Sequence, residues 1–268
     1  MVFLHAHPDD EAIFTGGTMA RLADAGHRVV LVVATRGDRG EGAGLISGPA
    51  LSRMRAGETR RAAELLGAVR THFLPYADSG LSPGLPPPGS FAAAPTDEAA
   101  THLATILRDE SADVLVAYDD HGIYAHPDHA KVYDVAAAAL ALTEMSVFYE
   151  ATVDREYLHF VETHVVSEAA LVAARLLAAP AGHLPASEVS AGRLGVAVGR
   201  VGLPTVEIDC TVDVRPVLDR KRAALAAHAS QLPAGSAVMQ LAEDTFAEVY
   251  GWEWFRRTGP AGPIDDLT

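Results

Sequence analysis

Cysteine occurs once in the 268 residues, as Cys210, which excludes an internal disulfide and any cysteine-rich zinc site. Cys210 sits in an apolar stretch from Val206 to Val212 with no His or Lys beside it, and reads as a small core residue rather than a reactive thiol. Positive charge is also scarce: 21 Lys and Arg face 35 Asp and Glu, a formal net charge of −14. That balance argues against nucleic acid or an anionic membrane as a partner, because both depend on positive surface potential. Long apolar runs are missing too. Stretches such as Ala136 to Leu142 fall far short of the ~20 residues that cross a bilayer. The N-terminus has neither the cationic start nor the apolar segment of a signal peptide. The expectation is a soluble cytoplasmic protein.

What is present points to a folded enzyme-sized chain. Hydrophobic residues make up 49% of it, enough for a large core. The first half alternates strand and helix signals: a strand at Val2–Leu4, a helix from Asp9 or Asp10 to just before Gly26, and an apolar strand from Arg28 to Ala34. A polar, glycine-rich loop follows from Arg36 to Gly48, then a helix over Ser52–Leu66 and a strand at Thr71–Leu74. Residues Asp78 to Pro95 form a Gly/Pro-rich loop. Helices are expected over Thr96–Asp109 and Asp128–Leu142, and strands over Val114–Tyr118 and Met145–Tyr149. This βαβα order implies an α/β fold with a doubly wound, mainly parallel sheet and helices on both faces. Beyond residue 150 the pattern is less regular: a helix at Glu168–Ala179, a strand within Thr205–Val212, and long helices at Val214–Gln231 and Met239–Arg257. With no repeat and no long linker, residues 1–268 read as one domain. Residues 1–150 are its core, and 151–268 are a C-terminal helical elaboration that completes the pocket.

Two polar clusters stand at strand ends. His7-Pro8-Asp9-Asp10-Glu11 follows the first strand, and His126-Pro127-Asp128-His129 follows the strand at Val114–Tyr118. Ligands of doubly wound sheets bind beyond the carboxyl ends of the strands, so both clusters are placed to build one site. Catalytic zinc takes three protein ligands and keeps one position for water; His7, Asp10 and His129 would satisfy that count. His7 and Asp10 are three apart and can face one point. Asp9 is then left beside the ion as a candidate general base. His126 could stabilise an oxyanion or donate a proton, and Asp128 could orient an imidazole. Iron(II) suits the same ligand set as zinc. The bland alternative is that these residues are helix N-caps and surface ion pairs.

At these residues the chain resembles the PIG-L/LmbE-like zinc-dependent N-acetylglucosaminyl deacetylases. Tyr118-Asp119-Asp120-His121-Gly122-Ile123-Tyr124, Arg55-Ala56-Gly57-Glu58, Asp78-Ser79-Gly80 and Lys221 through Gln231 look like the mycothiol deacetylase and amidase branch. The resemblance covers most of the chain. It implies a Rossmann-like fold and zinc-dependent hydrolysis of an N-acyl group, with a small-molecule N-acyl amino sugar or its glycoside as substrate. It also implies zinc on His7, Asp10 and His129, Asp9 as base, His126 as oxyanion or acid histidine, and Tyr124 polarising the acyl carbonyl. Arg55 and Asp78 would contact the sugar or its aglycone, and Asp128 would tune a neighbouring histidine. The chain departs from that branch at Asp119-Asp120-His121, where Asp-Pro-His is expected, and over Pro83 to Pro95. Both differences fall where substrate is selected.

Other features read structurally. Gly37-Asp38-Arg39-Gly40-Glu41-Gly42 is acidic and lacks the dinucleotide-binding pattern, so it is an active-site loop. Arg53, Arg60 and Arg61 form a solvated helix face. His228 and Gln231 read as packing, and Trp252, Trp254 and Phe255 as packing of a terminal helix against the sheet. The competing functions are a mycothiol S-conjugate amidase, a deacetylase of a glycosylated natural product, and a metal- or sugar-binding protein without turnover. Pocket size around residues 75–95 is expected to separate the first two. A homo-oligomer is compatible with the sequence.

Overall fold

The strands β1 (Val2–His5), β2 (Val30–Thr35) and β4 (Val114–Tyr118) are buried at every position, as near-continuous apolar runs require of strands covered on both faces. The structure is a computed structural model that describes residues 1–40, 46–80, 84–166 and 201–268. The expected helix at Glu168–Ala179, residues 41–45 of the glycine-rich loop and Pro83 lie outside the described residues.

Strands β3 (Arg70–Tyr76), β5 (Val147–Thr152), β6 (Cys210–Asp213) and β7 (Trp252–Thr258) complete a sheet of order β3-β2-β1-β4-β5-β7-β6. The first five strands are parallel, and β7 pairs antiparallel with both β5 and β6. Helices α1 (Gly16–Asp24) and α2 (Gly48–Leu65) pack on one face, through Met19, Leu22, Ala62 and Ala63. Helices α3 (Thr96–Asp109) and α5 (Pro127–Ala141) cover the other, through Leu103, Leu107, Val132 and Val135. Each such Leu, Val or Met side chain contributes roughly 1.5–3 kcal/mol on burial, and each Ala less. A short turn, α4 (Gly122–Ala125), bridges β4 and α5. Cys210 is buried in the core, as its apolar context implies.

The C-terminal half departs from the sequence reading. The helix expected over Met239–Arg257 is α8 (Glu243–Tyr250) followed, after Gly251, by the strand β7. Trp252, Trp254 and Phe255 therefore sit on a strand, not on a terminal helix. Aromatic residues fit a pleated, half-buried surface, and alternation sends Glu253 and Phe255 to one face and Trp252 and Trp254 to the other. The helix expected at Val214–Gln231 is shorter: a 3-10 turn at Arg215–Val217 leads into α7 (Leu218–Ala227). Between β5 and the undescribed segment lies α6 (Arg155–Phe160). Among the described residues, no helix is long and apolar enough to cross a membrane.

Candidate metal centre

The strand order puts β1 beside β4, with β2 and β3 leading off one way and β5 the other. Successive connections therefore diverge between β1 and β4, and their carboxyl ends frame the crevice where open α/β sheets bind ligands. The loop after β1 carries His7 to Asp10. The loop after β4 carries Tyr124 to His129.

These loops meet on one atom. Asp10 Oδ2 lies 3.3 Å from His7 Nδ1 and 3.2 Å from His129 Nε2. His7, Asp10 and His129 are all buried, and their donor atoms lie within 4.8 Å of one another. Donors held tetrahedrally at ~2.1 Å from one ion sit about 3.4 Å apart, so the side chains fit a single small divalent cation. Asp10 stands at the start of a π-helical turn (Glu11–Thr15) but makes no capping bond; its carboxylate accepts the His7 N–H instead. The N-cap reading fails in the same way for Asp128, since the cap of α5 is His126, whose Nδ1 accepts the Asp128 N–H at 3.1 Å.

The imidazole that Asp128 orients is His7. His7 Nε2 donates to Asp128 Oδ2 at 3.2 Å, which leaves Nδ1 to face Asp10 and a cation. Asp128 is held in turn by the Ser79 N–H at 2.9 Å and the Ala92 N–H at 2.8 Å. Asp78 also reaches this group, with Oδ1 3.6 Å from His7 Nε2. Burial pushes the His7 imidazole down, but Asp10, Asp128 and Asp78 more than offset this and hold it well above its ordinary range. So many carboxylates around one ring are the charge imbalance that a cation neutralises. His129 stacks on Tyr118 with centroids 4.5 Å apart, and its Nε2 also meets the Tyr124 hydroxyl at 3.1 Å.

Asp9 is outside the ion-holding group. Burial pushes its carboxyl up to about 6, against the pull of Arg55. His126 is driven down to about 4 by burial and by His7 and His129, so it is neutral at pH 7. With Nδ1 accepting a backbone N–H, its proton resides on Nε2. Burial and the Asp10 and Asp9 charges push the Tyr124 hydroxyl up, and it stays protonated.

Arg55, expected at the sugar, is buried and faces the backbone. It donates to Pro8 O at 2.6 Å and Gly37 O at 3.0 Å, and its Nη2 lies 3.4 Å from Asp9 Oδ2. A Cβ at Gly37 would lie 2.3 Å from Arg55 Nη1, so glycine is required for this approach. Asp119, at the departure from the mycothiol pattern, pins the loop leading to Tyr124. Its carboxylate accepts the His121 and Ile123 N–H groups and the Thr152 hydroxyl.

A cavity of about 450 Å³ opens beside Asp9, Asp10 and Tyr124. Its walls are mainly apolar and aromatic, including Phe14, Tyr157, Trp252 and Trp254. The described residues of 75–95, a stretch expected to size the pocket, do not line this cavity: β3 lies on the other side of β1, and Ser79 and Ala92 of the loop after it hold Asp128. The sequence reading gave no site role to three other contributors. His5 and Tyr118 form a buried hydrogen-bonded pair beneath the site, and His228, read as packing, meets Glu11 at 2.6 Å.

The family model described as PIG-L, GlcNAc-PI de-N-acetylase, matches residues 2–140. A 1D-myo-inositol 2-acetamido-2-deoxy-alpha-D-glucopyranoside deacetylase of Kribbella flavida is 33% identical over 289 residues, covering 99% of this chain and 94% of that protein. The chain belongs to the PIG-L family. Among solved structures, the N,N'-diacetylchitobiose deacetylase of Pyrococcus horikoshii matches with a TM-score of 0.58 at 24% identity, covering 100% of this chain and 88% of that one. A 4-carboxy-2-hydroxymuconate hydratase of Pseudomonas putida matches with a TM-score of 0.58 at 16% identity, covering 98% and 97%. The PIG-L fold thus also resembles that of an enzyme named for a different reaction, and side chains must decide the chemistry.

Proposed function

We propose that this PIG-L chain is a zinc-dependent N-deacetylase that releases acetate from an N-acetylglucosamine unit of a small-molecule glycoside. The observation that carries the reading is the convergence of His7 Nδ1 and His129 Nε2, from two different strand ends, on Asp10 Oδ2. His7, Asp10 and His129 would hold the ion; iron(II) suits the same set. When bound, such an ion supplies Lewis acidity, polarising a carbonyl and lowering the pKa of water.

The chain's own groups do the rest. Asp9 takes a proton from the attacking water as its oxygen bonds to the acyl carbon. The His126 Nε2–H and the Tyr124 hydroxyl donate to the developing oxyanion. The carbon–nitrogen bond then breaks as Asp9 returns that proton to the amine, and acetate and the free amino sugar leave. Asp128 keeps the His7 tautomer fixed, and Arg55 holds the Pro8–Asp9 backbone. Asp78, at the rim of the His7 group, is the candidate contact to the sugar. The substrate named for the Kribbella flavida relative supports a glucosamine–inositol glycoside. The apolar cavity favours a second reading, in which the group carried by the sugar is apolar, as in a mycothiol-type conjugate or a glycosylated natural product.

Free-amine release from N-acetylglucosamine, its inositol glycoside and a mycothiol-type conjugate, with and without chelator, tests the proposal. Chelator-sensitive release from at least one supports it. Zinc-loaded protein that binds these sugars but releases no amine would instead favour a binding protein.

A further inference from the structure

Asp9 is one of three non-glycine residues with positive φ among the described residues, at 101°. Such a backbone costs roughly 1–3 kcal/mol and persists only where its surroundings enforce it. Arg55 accounts for one side, through Pro8 O and the Asp9 carboxylate. On the other side, Glu11 Oε2 accepts the Asp9 N–H at 3.0 Å, and Glu11 Oε1 accepts from His228 Nε2 at 2.6 Å. Glu11 and His228 are both 0% exposed. His228 stands at the C-terminal cap of α7, which packs against α1 and α2, so a distant helix is tied to the backbone of Asp9 by two hydrogen bonds.

We infer that Glu11 and His228 are a positioning pair for Asp9. The inference rests on Asp9 being the base. His228 is the salt-bridge partner of Glu11 among the described residues. A buried carboxylate needs such a partner, and the pairing fixes the Glu11 rotamer so that its second oxygen stays on the Asp9 N–H. Neither side chain belongs to the ion-holding groups. Loss of the pair lets Asp9 relax toward negative φ and carries its carboxylate away from the water it must deprotonate. A misplacement of ~1 Å can cost about a hundredfold in rate.

The test compares His228→Phe, which removes the donor, with His228→Gln, which keeps an N–H for Glu11. His228→Phe is expected to lose about tenfold to a hundredfold in kcat, with KM within about twofold and zinc still one per chain. His228→Gln is expected to recover to within about threefold of wild type. The double variant Glu11→Gln/His228→Leu leaves no unpaired buried charge and covers the case in which His228→Phe does not fold; it is expected to show the same kcat loss. Full kcat in His228→Phe or the double variant overturns the proposal, as does a loss that tracks zinc content and is not restored by Gln. Crystal structures separate this from the deacetylase reading. If wild type hydrolyses none of the sugars, that reading fails. Asp9 φ turning negative in His228→Phe but not in His228→Gln then supports the pair, and φ positive in all three overturns it.

Discussion

Replacing Asp128 by Asn should weaken zinc binding although Asp128 is assigned no contact with the ion. The fully buried carboxylate accepts three hydrogen bonds: His7 Nε2 and the Ser79 N–H on Oδ2, and the Ala92 N–H on Oδ1. An amide offers one oxygen. Turned toward His7 and Ser79, it sets its NH2 against the Ala92 N–H; turned toward Ala92, it sets NH2 against His7. Either way a buried donor loses its acceptor, costing about 1–3 kcal/mol of stability. The second rotamer also removes the group that fixes the His7 tautomer, and such orienting partners are worth roughly 10–100-fold in metal affinity. Zinc affinity measured by competition with a chromophoric chelator, alongside a denaturant titration, reads both. Wild-type zinc affinity together with wild-type stability would refute this account of Asp128.

Asp9→Asn should keep one zinc per chain yet lose about 100-fold or more in kcat; unchanged turnover removes Asp9 as base. Lys221 and Glu253 are a buried pair at 2.6 Å, and Glu253 also caps α1 through the Gly17 and Thr18 N–H groups. Lys221→Met leaves that carboxylate without its cation and should cost about 3–5 kcal/mol in urea unfolding; a loss under 1 kcal/mol, on the order of a surface pair, would contradict it. Burial would push the Glu110 carboxyl up, but His72 and the Arg28 and Arg70 guanidinium groups hold it below its ordinary value of 4.5. The stability it contributes is present above that value and is lost as pH falls through the lower folded pKa. Glu110→Gln should therefore be less stable than wild type at pH 7, with the gap closing as pH falls through the lowered folded pKa of Glu110; a gap independent of pH would contradict the assignment.

The parts of this site legible in the sequence are those built locally. His7 and Asp10, or His126 and His129, sit three residues apart at a strand-to-helix junction, and short-range geometry already aims them together. The continuous apolar runs of β1, β2 and β4 likewise announce central strands. What escaped depends on distant partners. Arg55, expected at the sugar, turns instead to Pro8 O and Gly37 O, which only the fold brings against it. His228 lies 217 residues from Glu11, and no local pattern joins them. The strand β7 was hidden because only Gly251 separates it from the helix α8, and seven residues are too few for period 2 to outweigh the preceding helical period. Its pairing with β5 and β6, which no local signal reports, decides the matter.

The central claim is that side chains from two strand ends grip one ion. Anomalous diffraction at the zinc edge from a zinc-soaked crystal tests it directly. The account predicts one strong peak about 2.0–2.2 Å from His7 Nδ1, Asp10 Oδ2 and His129 Nε2. A peak held instead by Asp78, His126 and Asp128, or none in the crevice between β1 and β4, would contradict it.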